Sequence, residues 1–154
     1  MNEKVEAPEV KNARPYDVAP PEQFTEFMRT GWTPSDLEGL QPLEVVTYAF
    51  TRRQVLSEGF PNIRLVIPSG NYKTRSNDTE YVYRPHSAFA YYSGVQGADA
   101  VADSVLLLEP KAEGGHDAYL YLHPRSTRES DAFYTDRKYG ELWVGRHFTL
   151  EEAA

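Results

Sequence analysis

Asp78 and Glu80 stand two residues apart within YKTRSNDTEYVYRPHSAFAYYSG, residues 72–94, and His86 follows in the same stretch. On an extended segment, side chains at i and i+2 share a face, so two carboxylates spaced this way can act as general acid and general base. A small hydrolase could be built on Asp78, Glu80 and His86. The same residues also have a plainer reading, as loop carboxylates paired with Arg75 and Arg84 on a polar surface backed by five tyrosines and a phenylalanine. Such a surface suits binding better than catalysis.

Other chemistries find less support. His86, His116, His123 and His147 never occur with the HxxxH or HExxH spacing that sets two imidazoles on one helix face, and there is no cysteine to add a thiolate. No metal site is expected within the chain. There is no GxSxG elbow, GxGxxG fingerprint or Walker loop, and the SG, GG and YG glycines fall where turns end. Sixteen Lys and Arg against twenty-three Asp and Glu give a net charge of −7, which disfavours a nucleic-acid partner. The arginines at 52, 53, 75, 84, 125, 128 and 146 are the ones that could still gather in space. No apolar run approaches the roughly 18 residues of a membrane helix, and no apolar segment backs the charges of the N-terminus. The expectation is a protein with no membrane partner and a cytoplasmic address.

With 154 residues the chain is one domain's worth. Residues 1–21 hold four of the eleven prolines among charged residues and are expected to be a disordered tail. PPEQFTEFMRTGW sets Phe24, Phe27 and Met28 at helical spacing and ends in Gly31, predicting a short docking helix. In PLEVVTYAFTRRQVLSEGFP, Leu43, Val46, Ala49, Phe50 and Leu56 fall near one face and Arg52 and Arg53 on another, predicting a longer helix stopped by Gly59 and Pro61. The period then changes. RLVIPSG, SAFAYYSG, SVLLLEP and DAYLYLHP read as four strands, with RLVI and VLLL covered on both faces, YLYL half exposed, and PKAEGGHD turning the last two into antiparallel neighbours. STRESDAFYTDRKYG begins like a capped helix, and ELWVGRHF reads as a short strand or extended piece. In such a strand Leu142 and Val144 would face inward and Trp143 outward. The class is α/β with a mixed β-sheet flanked by helices. Thr149 and Glu152 have capping-box spacing, so a helix is announced just before the last residue, as in a chain cut at the entrance of its next element.

One set of residues is more specific. Arg75, Ser76, Asp78, Tyr81, Tyr83, Arg84, Ser87, Phe89, Tyr91 and Gly94, followed by Glu141, Trp143, Gly145 and Arg146, closely resembles the signature of the amino-terminal domain of Xaa-Pro aminopeptidase (aminopeptidase P), in the creatinase and prolidase superfamily. The helix bearing Arg52 and Arg53 matches as well, so the resemblance spans about residues 43–154. Pro85-His86 stands where many members carry glutamine and asparagine, Ala88 and Ala90 replace larger or polar residues, and His147 follows Arg146 where a second arginine is frequent.

The resemblance implies a ribonuclease-H-like fold over residues 22–148, with 149–154 starting a helix that leads to a missing catalytic pita-bread domain. That domain would hold two manganese ions and remove an N-terminal residue preceding proline. The present domain would be non-catalytic and hold no cofactor. Its partners would be the catalytic domain of the same polypeptide, proline-containing peptide substrates, and further copies in a dimer or tetramer. Asp78 and Trp143 would then wall the substrate cleft of a neighbouring subunit. The residues alone leave two alternatives open: the small hydrolase above, and an interaction module with no peptidase partner.

Overall fold

The computed structural model describes residues 21–33, 39–97 and 100–153. The tail expected over 1–21 lies, apart from Pro21, outside the described residues. Eleven elements follow in chain order: α1 (Glu22–Arg29), α2 (Val45–Gly59), β1 (Leu65–Pro68), β2 (Thr74–Ser76), β3 (Thr79–Glu80), α3 (Ser87–Ser93), β4 (Val105–Pro110), β5 (His116–Tyr121), α4 (Ala132–Thr135), α5 (Glu141–Val144) and α6 (Leu150–Ala153).

The apolar run VLLLEP is the middle of a three-stranded sheet ordered β1-β4-β5. Leu108 pairs with Leu65 on one side and Ala118 on the other, and Leu106 with Ile67 and Leu120. These side chains form the inner face, and Leu106 and Leu108 pack with Tyr83, Phe89, Val95, Ala100, Ala102 and Phe148 as the buried core. β4 and β5 are antiparallel neighbours joined by a tight turn over 111–115, as the Gly-Gly pair predicts; Gly114 and Gly115 both take positive φ there.

The expected mixed sheet is corrected, because every strand pairing among the described residues is antiparallel. The physical reason lies in the 69–104 connection, which leaves and returns at the same end of the sheet. Pro68 pairs with Val105, Ser69 N–H donates to Ser104 O at 2.8 Å, and Asp103 N–H donates to Gly70 O at 2.9 Å. The ladder thus continues into the neck of the excursion, which carries β2, β3 and α3 outward and back. RLVI is also corrected: it forms an edge strand whose Val66 is 60% exposed, and with Tyr119 and Tyr121 it leaves the outer face of the sheet open.

SAFAYYSG is a helix, not a strand. Its two buried side chains, Phe89 and Ser93, are four residues apart, and Ser93 Oγ donates to Phe89 O at 2.7 Å. Over seven residues an alternating aromatic pattern does not separate the two periods, and the flanks decide. Pro85-His86 enters extended, and Gly94 ends the helix in the left-handed region at φ 79°. ELWV is likewise one helical turn between Gly140 and Gly145 rather than an extended piece, because the N–H groups of Trp143 and Val144 turn back to Gly140 O and that of Gly145 to Glu141 O. The helix expected from Ser126 onward is the single turn α4.

α2 matches its sequence reading in extent, and buries Ala49 against α3, although Phe50 points outward at 54% exposure. α1 exists but buries none of its residues; the Phe24-Phe27-Met28 stripe is not its docking face. It is held instead by Arg29, ion-paired with Asp131 at 2.5 Å, and by Trp32, edge-on to Phe133 with centroids 5.0 Å apart.

Gly94 and Gly97 share φ 79°, but a Cβ on Gly94 would sit 3.2 Å from Val45 Cγ1 whereas one on Gly97 meets nothing within 4 Å among the described residues. Gly97→Ala should therefore cost only the left-handed penalty, about 1 kcal/mol, and Gly94→Ala should cost clearly more. Urea unfolding of the two variants checks this; equal losses would remove the α2–α3 contact as a constraint.

Candidate functional site

The stretch 72–94 builds two different things. β2 and β3 pair as a small hairpin, Thr74 opposite Glu80 and Ser76 opposite Thr79, with a bulge at Arg75 and with Asn77 at φ 45° in the turn. Asp78 lies in that turn and Glu80 in the strand, so they do not occupy one extended segment. No hydrogen bond or ion pair joins Asp78, Glu80 and His86 among the described residues, nor the carboxylates to Arg75 or Arg84; Arg84 donates to Ser87 Oγ at 3.2 Å instead. Both the acid–base pair and the paired-loop reading are thereby corrected. What remains is a projecting arm with Asp78, Glu80, Tyr81 and Val82 all exposed.

The arm's return strand is anchored at Tyr83. Its ring is buried beside Tyr72, centroids 5.0 Å apart, and its hydroxyl lies 3.2 Å from Gly70 O and 3.3 Å from Ser69 O at the neck of the excursion. Burial pushes that phenol's pKa up, so it stays a donor. His86 N–H donates to Ser69 O at 2.8 Å, and the imidazole lies over Gly70, where an added Cβ would fall 2.5 Å from Nε2. Its place is thus structural. The far end of α3 receives Arg52 Nη1 at Tyr91 O, 3.1 Å, and Arg53 Nη1 at Tyr92 O, 2.8 Å. Cations at carbonyls of a helix's last turn satisfy its orphan acceptors and complement its dipole. The Arg52 guanidinium also stacks over the Tyr91 ring at 4.3 Å.

A second surface is built from residues 123–153. Glu141 opens α5 and is held by Arg125 in a two-pronged pair through Nε and, at 2.9 Å, Nη2; the side chains are 11% and 5% exposed. The hydrogen bond to Glu141 strengthens the Arg125 charge. Gly140 is set so tightly against α4 that a Cβ would meet the carbonyl oxygens of Ala132 and Asp136 at 2.4 Å. With α5 fixed at both points, Trp143 projects at 54% exposure, its indole N–H donated to Tyr134 O at 2.7 Å and the Arg137 guanidinium 5.4 Å above the ring. Trp143 therefore lies outside the core, as the sequence predicts, but through a helical turn; Leu142 is exposed too, so the alternation behind the prediction is corrected. Alongside, Lys138 and the Tyr139 hydroxyl both donate to Asp103, and Lys138 first among them holds that carboxyl below its ordinary range. His123 stacks flat on Tyr139 at 4.2 Å.

The capping box forms as read: Thr149 N–H donates to Glu152 Oε2 at 3.1 Å, and Glu152 N–H to Thr149 Oγ1 at 3.4 Å. Glu152 is buried, and Arg146 pairs with its other oxygen. Burial pulls this carboxyl up, but Arg146 and the Thr149 bonds outweigh it and hold the pKa below the ordinary value. Leu43 N–H also donates to Glu152 O at 3.0 Å, tying α6 to the entrance of α2. Of the other signature residues, Tyr81 and Tyr91 are exposed, Ser87 opens α3, Gly94 closes it and Gly145 closes α5 at φ 81°. Arg125 carries no signal of its pairing in the sequence, since its partner is sixteen positions away and in a different element.

A family model described as the aminopeptidase P N-terminal domain matches residues 49–154. Xaa-Pro aminopeptidase 2 of Streptomyces coelicolor is 44% identical over 131 residues, covering 85% of this chain and 27% of the relative. Xaa-Pro aminopeptidase 1 of the same organism is 46% identical over 132 residues, covering 86% and 26% respectively. The chain thus spans about a quarter of the length of the curated relatives it matches. Among solved structures, Escherichia coli aminopeptidase P with the inhibitor Pro-Leu aligns with a TM-score of 0.51 at 27% identity, over 70% of this chain and 21% of that one.

Breaking a buried ion pair by removing one partner leaves an uncompensated charge. Arg125→Met should therefore destabilise the chain by about 3–5 kcal/mol, and Arg125→Met with Glu141→Leu by clearly less. Denaturant unfolding of single and double variants decides; equal losses would mean the pair contributes packing alone. For Glu152 the sign follows from its depressed pKa: the stabilisation is present above the ordinary carboxylate pKa and is lost as pH falls through the lower folded value. Glu152→Gln should lower the urea midpoint at neutral pH and converge with the parent chain in acid.

Proposed function

This chain belongs to the aminopeptidase P N-terminal domain family, and on that premise we propose that it serves as the non-catalytic N-terminal domain of a manganese-dependent Xaa-Pro aminopeptidase. Removal of the N-terminal residue preceding proline is then the activity of the larger enzyme. The metals would polarise the scissile carbonyl and supply hydroxide. In this reading the residues of this domain have positioning roles only. In the same reading the β1-β4-β5 sheet is part of a ribonuclease-H-like layer, residues 22–148 are the domain, and the enzyme is a dimer or tetramer.

The observation that carries the reading is the way Trp143 is presented. A large aromatic ring held outward by its own N–H bond, by a buried ion pair beneath its helix and by a glycine that tolerates no side chain is preorganised for contact with something outside this domain. Exposed aromatics in fixed poses are typical interface anchors. The β2–β3 arm supplies a second such element, with Asp78 at its tip and Tyr81 and Val82 uncovered. We assign both to the wall of a substrate cleft in a neighbouring subunit, with the ring stacking on the proline-containing peptide and Asp78 available to its polar groups. No helix among the described residues is long and apolar enough to cross a membrane.

Trp143→Ala tests this. It deletes one hydrogen bond and a half-exposed ring, so the stability of the 154-residue chain should change by no more than about 1 kcal/mol. In an enzyme that carries this domain together with its catalytic domain, kcat/KM on an Xaa-Pro peptide should fall about tenfold or more, with Asp78→Ala weaker in the same direction. A large loss of domain stability with normal activity per folded enzyme would return Trp143 to a structural role.

A further inference from the structure

A cleft of 610 Å³ opens between the end of α1 and the α4–α5 platform, away from the Trp143 ring in its lining. Arg125, Arg128 and Arg146 border it, with Trp32 and Phe133 as an aromatic wall. Two of the three cations are answered, Arg125 by Glu141 and Arg146 by Glu152. Arg128 is not: its Nη1 donates to the carbonyl of Thr33, and it has no carboxylate partner among the described residues. Among the described residues the cleft therefore keeps one formal positive charge in excess.

Its hydrogen bonding is incomplete in the same place. Nη1 of Arg125 and Nε of Arg128 are buried with no acceptor among the described residues. A buried donor left unmade costs about 1–3 kcal/mol, and more when it is charged, so two on guanidiniums that line one cleft call for an acceptor of matching charge. A guanidinium presents its donors in a planar fork that fits the two oxygens of a carboxylate. The wall beside it is aromatic rather than polar. Phe133 is already buried, but the Trp32 ring is 40% exposed, so a bare anion would leave that ring uncovered, whereas an acid carrying an aromatic or aliphatic group would satisfy both halves.

The geometry points to this cleft as a binding site for a monocarboxylate whose carboxyl is seated by Arg125 and Arg128 and whose apolar group lies on the exposed ring of Trp32. The ligand class includes the free carboxyl end of a peptide with an apolar last residue as well as small acids of the same shape. The site shares with the Trp143 surface the Arg125–Glu141 pair that supports α5, but the Trp143 ring does not line it and it does not rest on the function proposed above.

The test is a titration of the isotope-labelled 154-residue chain with N-acetyl-phenylalanine, followed through the arginine Nε–H and tryptophan indole resonances. The expected result is a saturable shift of the Arg125, Arg128 and Trp32 signals. N-acetyl-phenylalaninamide, which lacks the charge, and acetate, which lacks the ring, should each bind at least about tenfold more weakly. Arg128→Gln should weaken N-acetyl-phenylalanine binding by a similar factor, and Trp32→Leu provides a second variant should Arg128→Gln fail to fold. No saturable shift, equal binding of the acid and its amide, equal binding of acetate, or undiminished binding by a folded variant would each overturn the site.

Discussion

The C-terminal turn of α3 runs into buried residues, Ser93, Gly94 and Val95, and just before them the carbonyls of Tyr91 and Tyr92 take side-chain donors. Arg52 and Arg53 of α2 supply the donors. Of the two, Arg53 is the more enclosed, and burial lowers its pKa, as expected for a charge removed from water into a helix end. The two helices can then approach until Gly94 touches Val45, which sets Phe89 over the inner face of the sheet. Phe89 is fully enclosed, and a side chain of its kind contributes about 1.5–3 kcal/mol by burial alone. Because the excursion that carries α3 is closed at its neck by β-ladder hydrogen bonds, the position of α3 also sets that of the β2–β3 arm.

Two surfaces follow from that arrangement, and they are stabilised differently. The arm depends on backbone pairing and on the Tyr83 anchor, and among the described residues no side-chain partner holds its tip. The α4–α5 platform depends on polar side chains: the Arg125–Glu141 pair, Asp103 with Lys138 and Tyr139, and the capping box at Glu152. The Trp143 ring sits on top of these polar supports, while Phe133 and Tyr134 of α4 are buried beside them. That order, polar beneath and aromatic above, is the reverse of a hydrophobic core and is what an outward-facing binding surface requires.

Much of this was legible in the sequence where a signal is local. The α2 boundaries follow from apolar spacing and Gly59, the β4–β5 hairpin from its glycine turn, and the Thr149–Glu152 box from three-residue spacing. The motif residues of the family were legible as well, and Trp143 was rightly placed outside the core. What failed was the period of short segments. In SAFAYYSG and ELWV the hydrophobic pattern is compatible with either structure, and the deciding features are the glycines and prolines at the flanks. The mixed sheet failed because strand direction depends on where the 69–104 connection returns, which is set by contacts across more than thirty residues. The pairings of Arg52, Arg53 and Arg125 were invisible for the same reason: an arginine on a helix face or in a loop does not announce the carbonyl or carboxylate it will meet.

Gly70 and His86 face each other, but their tolerance of change is not equal. The imidazole packs on the glycine with its far edge, an end that a shorter or rotated side chain could withdraw, whereas Gly70 sits at φ 82°, where the backbone itself resists any Cβ. Divergence can therefore run freely at one member of the pair and hardly at all at the other. In a saturation library, position 86 should accept a wide range of residues while position 70 returns almost nothing but glycine.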